Sequence, residues 1–193
     1  MKQIKLSTMK LSIPFYLMLL TCFLFSCKEN NAKAQKNTPA VSAPKIDIHT
    51  AVITGNVEAI KQHIAAGSNL NKKDAMGGSS PLITACLYEK KEIAQLLIEA
   101  GADINFKNND GSTPLHIAAF FCKPEMVKLL LEKKASKTVK NNYGSTAYET
   151  VATPYASVKT IYEQMKQMLE PIGVKLNLAY IEKTRPAIAA MLK

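Results

Sequence analysis

The side chains that could carry acid–base, metal or thiol chemistry are few in this sequence. Its 193 residues include three histidines and four cysteines, and His49, His63 and His116 stand far apart along the chain. None of them combines with cysteines or carboxylates at the spacing of zinc ligands. The sequence also lacks a glycine-rich phosphate loop and a G-x-S-x-G nucleophile motif. These residue types therefore predict no catalysis, no metal, no cofactor and no small-molecule substrate.

The first 26 residues differ in composition from the rest of the chain. They begin with three lysines and no acid in MKQIKLSTMK and continue as the apolar run LSIPFYLMLLTCFLF. A basic start followed by an apolar run too short to cross a bilayer is typical of an export signal. The segment LFSC at 24–27 resembles the lipobox of bacterial lipoproteins, which implies cleavage of 1–26 and lipidation of Cys27. An ordinary secretory peptide and an uncleaved N-terminal anchor are the alternatives.

The segment after the export signal indicates how the protein would be held at a membrane. KENNAKAQKNTPAVSAPK, at 28–45, has no hydrophobic period, so 27–45 is predicted to be a flexible tether. The lipoprotein resemblance implies the bacterial cell envelope, either the periplasmic face or the outer surface of the outer membrane. The formal charge of +10 then favours an acidic protein or an anionic surface over nucleic acid as partner.

A unit of one length recurs through the middle of the chain. SPLITACLYEKKEIAQLLIEAGADINFKNNDG starts at Ser80, TPLHIAAFFCKPEMVKLLLEKKASKTVKNNYG starts at Thr113, and a third copy starts at Thr146, each 33 residues after the last. A unit one residue longer starts at Ile46. The period, with TPLHIAA and GADIN, resembles the ankyrin repeat. The resemblance implies an all-α ankyrin-repeat solenoid of about four helix pairs joined by hairpin-like turns, with a helical C-terminal cap. The expected repeats are 46–79, 80–112, 113–145 and 146–170, together spanning 46–170, and the expected cap is 171–193.

The residue types at the helix ends support the same repeat. Thr113 can cap a helix whose first residue is Pro114, where the missing N–H does no harm. Gly67 and Gly101 lie where second helices should end, a position that favours positive φ. Lys134 replaces that glycine in the third repeat, and a left-handed backbone there would cost about 1 kcal/mol.

The last part of the chain follows the repeat pattern less closely. SVKTIYEQMKQMLEP has apolar residues at helical spacing, and we interpret it as the second helix of the fourth repeat. VKLNLAYIEKTRPAIAAMLK is predicted to add one or two short helices, with Pro186 near a helix start. Its polar, lysine-bearing character suits the end of a stack.

The ankyrin resemblance gives the histidines and internal cysteines structural roles. It implies that His49 and His116 make local hydrogen bonds, whereas His63, alone on a second helix, is expected at a surface or edge. Cys86 and Cys122 lie on adjacent first helices, offset by three residues. The roughly 10 Å between helices and about 4.5 Å of rise place their Cα atoms beyond the about 7 Å limit of a disulfide. Both are therefore predicted to be free thiols.

The resemblance also implies where a protein partner would bind. In ankyrin repeats, the residues after the alanine pair of each first helix and the hairpin tips face the concave groove. Exposed aromatic clusters mark interaction sites. The residues expected to bind a partner are Leu87, Tyr88, Asn109, Asp110, Phe120, Phe121 and Tyr143. The four aromatic ones should form a stripe across adjacent repeats, unless one of the two phenylalanines packs between helices as core.

The sequence thus predicts a lipid-anchored ankyrin module of the bacterial envelope that binds another protein and performs no chemistry. An immunity-type lipoprotein that neutralises a toxin or enzyme in the periplasm would use the same surface. An effector acting inside another cell would require release from the membrane. The sequence does not separate these three hypotheses.

Overall fold

The structure is a computed structural model that describes residues 42–193 of the chain. Within those residues the regular elements are all helical, so the all-α prediction is confirmed. Their bounds are α1 Ile48–Thr54, α2 Val57–Ala65, α3 Pro81–Leu87, α4 Lys91–Glu99, α5 Pro114–Phe120, α6 Pro124–Glu132, α7 Glu149–Ala152, α8 Tyr155–Leu169 and α9 Leu178–Leu192, with a 3₁₀ turn at Glu170–Ile172. The predicted export signal, lipidated cysteine and most of the tether lie outside the described residues.

The first three helix pairs stack side by side. The first helices α1, α3 and α5 form one layer, and the second helices α2, α4 and α6 form the other. The core between the layers is built from aliphatic residues and alanines, among them Ala51, Ala85, Ala118, Leu97 and Leu130, all 0% exposed. Small alanines on the first helices let neighbouring backbones approach closely, which is how short helices bury a continuous core.

The helices begin where their capping residues predict. The Ser80 hydroxyl accepts a hydrogen bond from the N–H of Ile83 at 3.3 Å, and Pro81 is the first helical residue. Thr113 and Pro114 take the same positions at α5, where the Thr113 N–H donates to Nδ1 of His116 at 3.3 Å. In α1 the carboxylate of Asp47 replaces the hydroxyl and accepts from the N–H of His49 at 3.0 Å.

The ends of the second helices adopt the left-handed backbone. Gly67 has φ 68° and Gly101 has φ 90°, and Lys134 takes φ 64° without the freedom of glycine. The strain predicted for Lys134 is therefore present. Glu89 and Cys122, in the turns after α3 and α5, also have positive φ, of 55° and 52°.

The turns between repeats form a ladder that fixes the spacing of their tips. The N–H of Asn109 donates to the carbonyl of Gly77 at 3.0 Å, and the N–H of Asn142 donates to the carbonyl of Asp110 at 2.9 Å. Gly111 has φ 70°, and a Cβ there would meet the Asn142 side chain and lie 2.9 Å from its backbone nitrogen. The glycine therefore permits both the turn and the close approach of the next tip.

The fourth repeat differs from its predicted form. The interpretation of SVKTIYEQMKQMLEP as its second helix is wrong, because α9, and not α8, packs against α7 and α6 as α4 packs against α3 and α2. The first turns of α9 reach the turn after α5, where the Cys122 Sγ lies 3.7 Å from the carbonyl oxygen of Ile181. Residues 153–177, including α8, therefore form the connection in sequence between α7 and α9, the two helices of this pair. The other three pairs are joined by 55–56, 88–90 and 121–123.

The tail also differs around its proline. Pro186 lies inside α9 rather than near a helix start, and 178–192 form a single helix. The carbonyl that loses its N–H partner belongs to Glu182, whose exposed side of the helix can be solvated by water.

Candidate interaction surface

The second-last helix, α8, covers part of the face on which the aromatic stripe was predicted. It starts after α7, passes Phe120 of the third repeat, and continues into a turn that reaches Tyr88 of the second. Its 15 residues span about 22 Å, or about two repeats spaced at 10 Å. A segment of the same chain therefore lies on this face of the second and third repeats.

The two phenylalanines have different environments beneath α8. Phe121 is 7% exposed and belongs to the core, so the expectation that it faces a partner is wrong. Phe120 is partly buried, with its ring 5.1 Å from that of Phe121 in an edge-on arrangement. Its other face stacks on Tyr162 of α8 at 4.6 Å. The alternative in which one phenylalanine packs as core is the one the structure shows.

Tyr162 is the residue that fixes α8 in place. It is 0% exposed, and its hydroxyl donates to the carbonyl of Phe120 at 2.6 Å. The same oxygen accepts from Nη1 of Arg185 on α9 at 2.6 Å. Burial raises the pKa of Tyr162 well above its ordinary value, so the hydroxyl keeps the proton that it donates.

Arg185 ties this contact to the end of the repeat stack. Its guanidinium is 2% exposed and its Nη2 donates to the carbonyls of Thr150 and Thr153, at 3.3 and 2.7 Å. These carbonyls lie at the C-terminal end of α7, where a cation is favourable. Within residues 42–193, its Nε has no hydrogen-bond partner.

The turn after α8 covers Leu87 and Tyr88. The Tyr88 hydroxyl donates to the carbonyl of Ile172 at 2.9 Å, and burial raises the pKa of this tyrosine. Beside it lies a shallow cavity of about 350 Å³. Three lysines and one glutamate supply its charge, namely Lys90, Lys123, Lys175 and Glu89. Glu89 forms an ion pair with Lys123, so the rim is positive overall.

A larger and more apolar groove lies between α8 and the turns of the third and fourth repeats. Its volume is about 450 Å³. The apolar walls come from Ile117, Phe120, Val158, Ile161 and Met165. Tyr143, at a hairpin tip, is 76% exposed at its mouth, and Asp110 lies on the same rim.

Three of the predicted partner-binding residues thus remain open to solvent. Tyr143, Asp110 and Asn109 are exposed. The carbonyl of Asn109 accepts from the side-chain amide of Asn142 at 2.9 Å, so this residue also belongs to the ladder of tips. Leu87, Tyr88 and Phe120 are half-buried beneath the segment 153–177.

Comparisons with known proteins bear on the repeats themselves. The family model described as ankyrin repeats matches three copies over residues 48–141. Residues 48–141 are ankyrin repeats. The ankyrin repeat domain of Bcl-3 has a similar structure, with a TM-score of 0.52 and 29% identity, covering 53% of this chain and 45% of that one. The predicted ankyrin-repeat solenoid is therefore confirmed.

The curated proteins that are similar in sequence match only about a third of this chain. Protein phosphatase 1 regulatory subunit 27 of Homo sapiens is 37% identical over 63 residues, which is 33% of this chain. The Mus musculus protein matches equally, and inversin of Gallus gallus is 32% identical over 59 residues, 31% of this chain and 5% of that protein. The chain spans about 40% of the length of the phosphatase subunits.

The histidines of the ankyrin repeats join neighbouring segments. His49 contacts the Thr84 hydroxyl at 3.1 Å and the Lys72 carbonyl at 2.9 Å. His116 contacts the Thr113 hydroxyl at 2.8 Å through Nδ1 and the Ser145 carbonyl at 2.9 Å through Nε2. The predicted local hydrogen bond is present for His116, through Thr113, whereas the ring of His49 bonds only to residues distant in sequence.

His63 is not the surface residue that the sequence suggested. It is 6% exposed, and its ring contacts the Ile46 carbonyl and the Ser68 hydroxyl, each at 2.9 Å. It therefore fastens the start of the first ankyrin repeat to its second helix. A lone histidine on an amphipathic helix gives no sequence signal for such a contact.

The two internal cysteines are both buried free thiols, as predicted. Burial raises the pKa of Cys122 to about 11, and it raises the pKa of Cys86 as well. Thiols that stay protonated are poor nucleophiles. Within residues 42–193, no group of three or more histidine, cysteine and carboxylate side chains is arranged to hold a metal. No helix in that range is long and apolar enough to cross a membrane.

Sequence reasoning missed the two residues that organise the site, Tyr162 and Arg185. Tyr162 carried a signal, since it lies in the middle of the apolar face of α8. Arg185 carried none, because charged residues are rarely buried.

Proposed function

We propose that the chain is a non-catalytic module that binds another protein through the concave side of its ankyrin stack. The observation that supports this most directly is the apolar groove of about 450 Å³ beside α8. Its mouth carries Tyr143, an aromatic side chain that is 76% exposed. Aromatic side chains on an apolar groove are the residues that dominate binding energies between proteins.

The partner that suits this side of the molecule carries acidic groups near an apolar segment. The cavity near Tyr88 has Lys90, Lys123 and Lys175 around the half-buried Leu87. Because Lys123 is already paired with Glu89, Lys90 and Lys175 are the two cations that a partner would meet. Complementary charge of this kind speeds association and selects among partners.

The proposed location is the bacterial envelope, with a lipid on Cys27. The support is the sequence LFSC at 24–27 after a basic and apolar leader. The segment 28–45 would hold the repeats away from the membrane by a distance on the order of 25 Å. The module would face the periplasm or the outer surface of the outer membrane.

Binding is tested by affinity capture from the native envelope with the full-length protein and two variants. Tyr143→Ala removes the exposed ring and should weaken capture of a specific partner about tenfold, which corresponds to 1.4 kcal/mol. Lys61→Ala, exposed on the opposite layer in α2, is the matched control and should capture normally. Equal capture by all three proteins would exclude the groove as the binding site.

The anchor is tested separately by labelling cells with a palmitate analogue. The wild-type protein should take up label and sediment with membranes, and Cys27→Ser should do neither. Label retained by Cys27→Ser would show that another residue carries the lipid, and unlabelled wild type would show a different export signal.

A further inference from the structure

The segment 153–177 is not needed to connect the two helices of the last repeat. In the first three pairs the connection is made by 55–56, 88–90 and 121–123. The additional length forms α8 and the turn after it, and both lie on the concave side, against Phe120 and Tyr88. We propose that α8 is an internal occupant of the binding face, and that the external partner is an amphipathic helix that competes with it. In the place of α8, that helix would supply the wall of the groove that Val158, Ile161 and Met165 supply here, and it would meet Tyr143 at the mouth. This proposal rests on the binding function proposed above.

The way in which α8 is seated defines the kind of helix that the face accepts. The apolar side chains of α8 that pack on the core are Tyr155, Val158, Tyr162, Met165 and Leu169, at helical positions i, i+3, i+7, i+10 and i+14. The tyrosine supplies a ring for Phe120 and a hydroxyl for the Phe120 carbonyl. A competing helix therefore needs an aromatic residue with a hydrogen-bond donor, flanked by aliphatic residues on the same stripe.

The burial of α8 shows that it is held much less firmly than the repeat helices. Among its residues only Tyr162 is buried, and Val158, Met165 and Leu169 are half-buried. Ile161 and Met168 are 44% and 67% exposed. By contrast, α6 has only 9 residues and buries four of them, Met126, Val127, Leu129 and Leu130. A helix with one buried anchor opens at a lower free energy than the core.

Two ion pairs of α8 are made within its own segment. Lys159 lies 3.9 Å from Glu163, and Lys166 lies 3.7 Å from Glu170, each pair one helical turn apart. These ion pairs lie within the segment and do not depend on the repeats. No side chain caps the N-terminus of α8, where Pro154 precedes the first turn. Tyr162 is the one buried residue of α8, and the half-buried Tyr155, Val158, Met165 and Leu169 add to its contact with the core.

The test is a competition between α8 in the full-length protein and a labelled peptide of the same sequence, 154–172. A tethered helix has an effective concentration on the order of 1 mM. The peptide should therefore bind the wild-type protein weakly. Tyr162→Ala in the protein weakens the internal helix and should raise the affinity for the wild-type peptide at least about tenfold. Thr160→Ala, exposed on the same helix, is the matched control and should leave the affinity at the wild-type level.

A folding check, a second protein variant and a variant peptide separate competition from folding defects. Circular dichroism establishes that each variant is folded. The triple change Val158→Ala, Met165→Ala and Leu169→Ala leaves the Tyr162–Arg185 contact in place, and it should raise peptide affinity as well. A peptide in which Tyr162 is replaced by alanine should not bind any of the proteins. Equal affinity of the wild-type peptide for folded wild type and folded variants would overturn the proposal.

Hydrogen exchange on the wild-type protein gives a second, unmutated readout. The amides of α8 should exchange at least about 100-fold faster than those of α4 and α6. Exchange of α8 as slow as that of α4 would overturn the proposal. If the peptide competes as expected but no envelope protein is captured by any variant, the proposed function fails while the internal competition stands. If capture of a partner depends on Tyr143 but no variant gains peptide affinity, the proposed function stands and the competition with α8 is excluded.

Discussion

The buried histidine His116 links two ankyrin repeats through a single ring. It is 2% exposed, and both ring nitrogens contact oxygens, one of them the Ser145 carbonyl in the next turn. Burial, which outweighs that hydrogen bond, holds the pKa of His116 below its ordinary value. The folded protein therefore contains the neutral ring near neutral pH.

This pKa predicts a loss of stability in mild acid. As pH falls below the ordinary histidine value of about 6.5, the unfolded chain binds a proton that the folded chain resists. The free energy of unfolding should thus be constant above that pH and fall below it. Urea denaturation at about pH 7.5 and pH 5.5 measures the difference, which should be smaller for His116→Gln. An identical pH dependence in the variant would contradict the assignment to His116.

The internal thiols give a second prediction at the scale of single residues. Cys86 and Cys122 are both 0% exposed, and burial raises the pKa of each. An alkylating reagent should therefore leave both unlabelled in the native protein and label both after denaturation. Peptide mass spectrometry distinguishes them from the cysteines of the leader. Rapid native labelling of Cys122 would show that the α5–α6 turn opens easily.

At the end of each second helix, the residue with positive φ determines how much the backbone is strained. Lys134 at φ 64° replaces the glycine used at Gly101. Lys134→Gly should stabilise the protein by about 1 kcal/mol, because glycine adopts a left-handed backbone freely. Gly101→Ala should destabilise it by a similar amount, since a Cβ there meets nothing within 4 Å and only the backbone is strained. Thermal unfolding of the two variants compares them, and shifts of the same sign would contradict this explanation.

At the same scale, the sequence predicted most of the repeat helices and turns correctly. Proline after Ser80 and Thr113, glycine at Gly67 and Gly101, and the alanine pair Ala118–Ala119 on α5 each correspond to a local physical requirement. Each of these signals depends on only a few neighbouring residues, so it can be recognised without knowledge of the fold.

The assignment of α8 failed for a physical reason. Apolar residues at helical spacing show that a helix has a buried side, but they do not say which neighbour covers it. Val158, Tyr162 and Met165 satisfy the pattern of a second helix as well as that of a helix on the concave side. The helix that completes the repeat, α9, was harder to recognise because Arg185 and Pro186 interrupt its stripe.

The candidate site was predicted in part for the same reason. Tyr143 and Asp110 follow from the turn sequence and are exposed. Phe121 is core, because the first turn after α5 directs it between helices, and Phe120 is covered by a segment distant in sequence. Local patterns give the position of a side chain on its own helix and do not give long-range coverage.

Residues 42–193 form a stack in which the helix pairs pack on their neighbours, and the turn after α8 also reaches across to Tyr88 of the second repeat. Stability in such a stack is shared between repeats and the interfaces that join them. Its middle repeats have neighbours on both sides, whereas the fourth relies on α7, which has four residues, and on a second helix supplied from beyond α8. The fourth repeat should therefore be the first part to unfold.

Two buried substitutions compare the middle of the stack with its end. Leu97→Ala, in α4 at 0% exposure, should lower the stability of the entire stack by about 3 kcal/mol. Val151→Ala, in α7 at 3% exposure, should mainly release the last repeat and leave the main transition in place. Denaturant unfolding followed by circular dichroism should give a separate early transition only in the second variant. A single shifted transition in both would mean that the stack unfolds as one unit.

The long connection between α7 and α9 has a consequence for how the protein reaches its native state. The first three pairs close after two or three linking residues, whereas the fourth must close across 153–177. Each doubling of such a loop adds about 0.6 kcal/mol of entropy cost. Refolding from denaturant should therefore show the first three pairs assembling quickly, and a slower final phase in which 178–192 finds its place on an already formed surface.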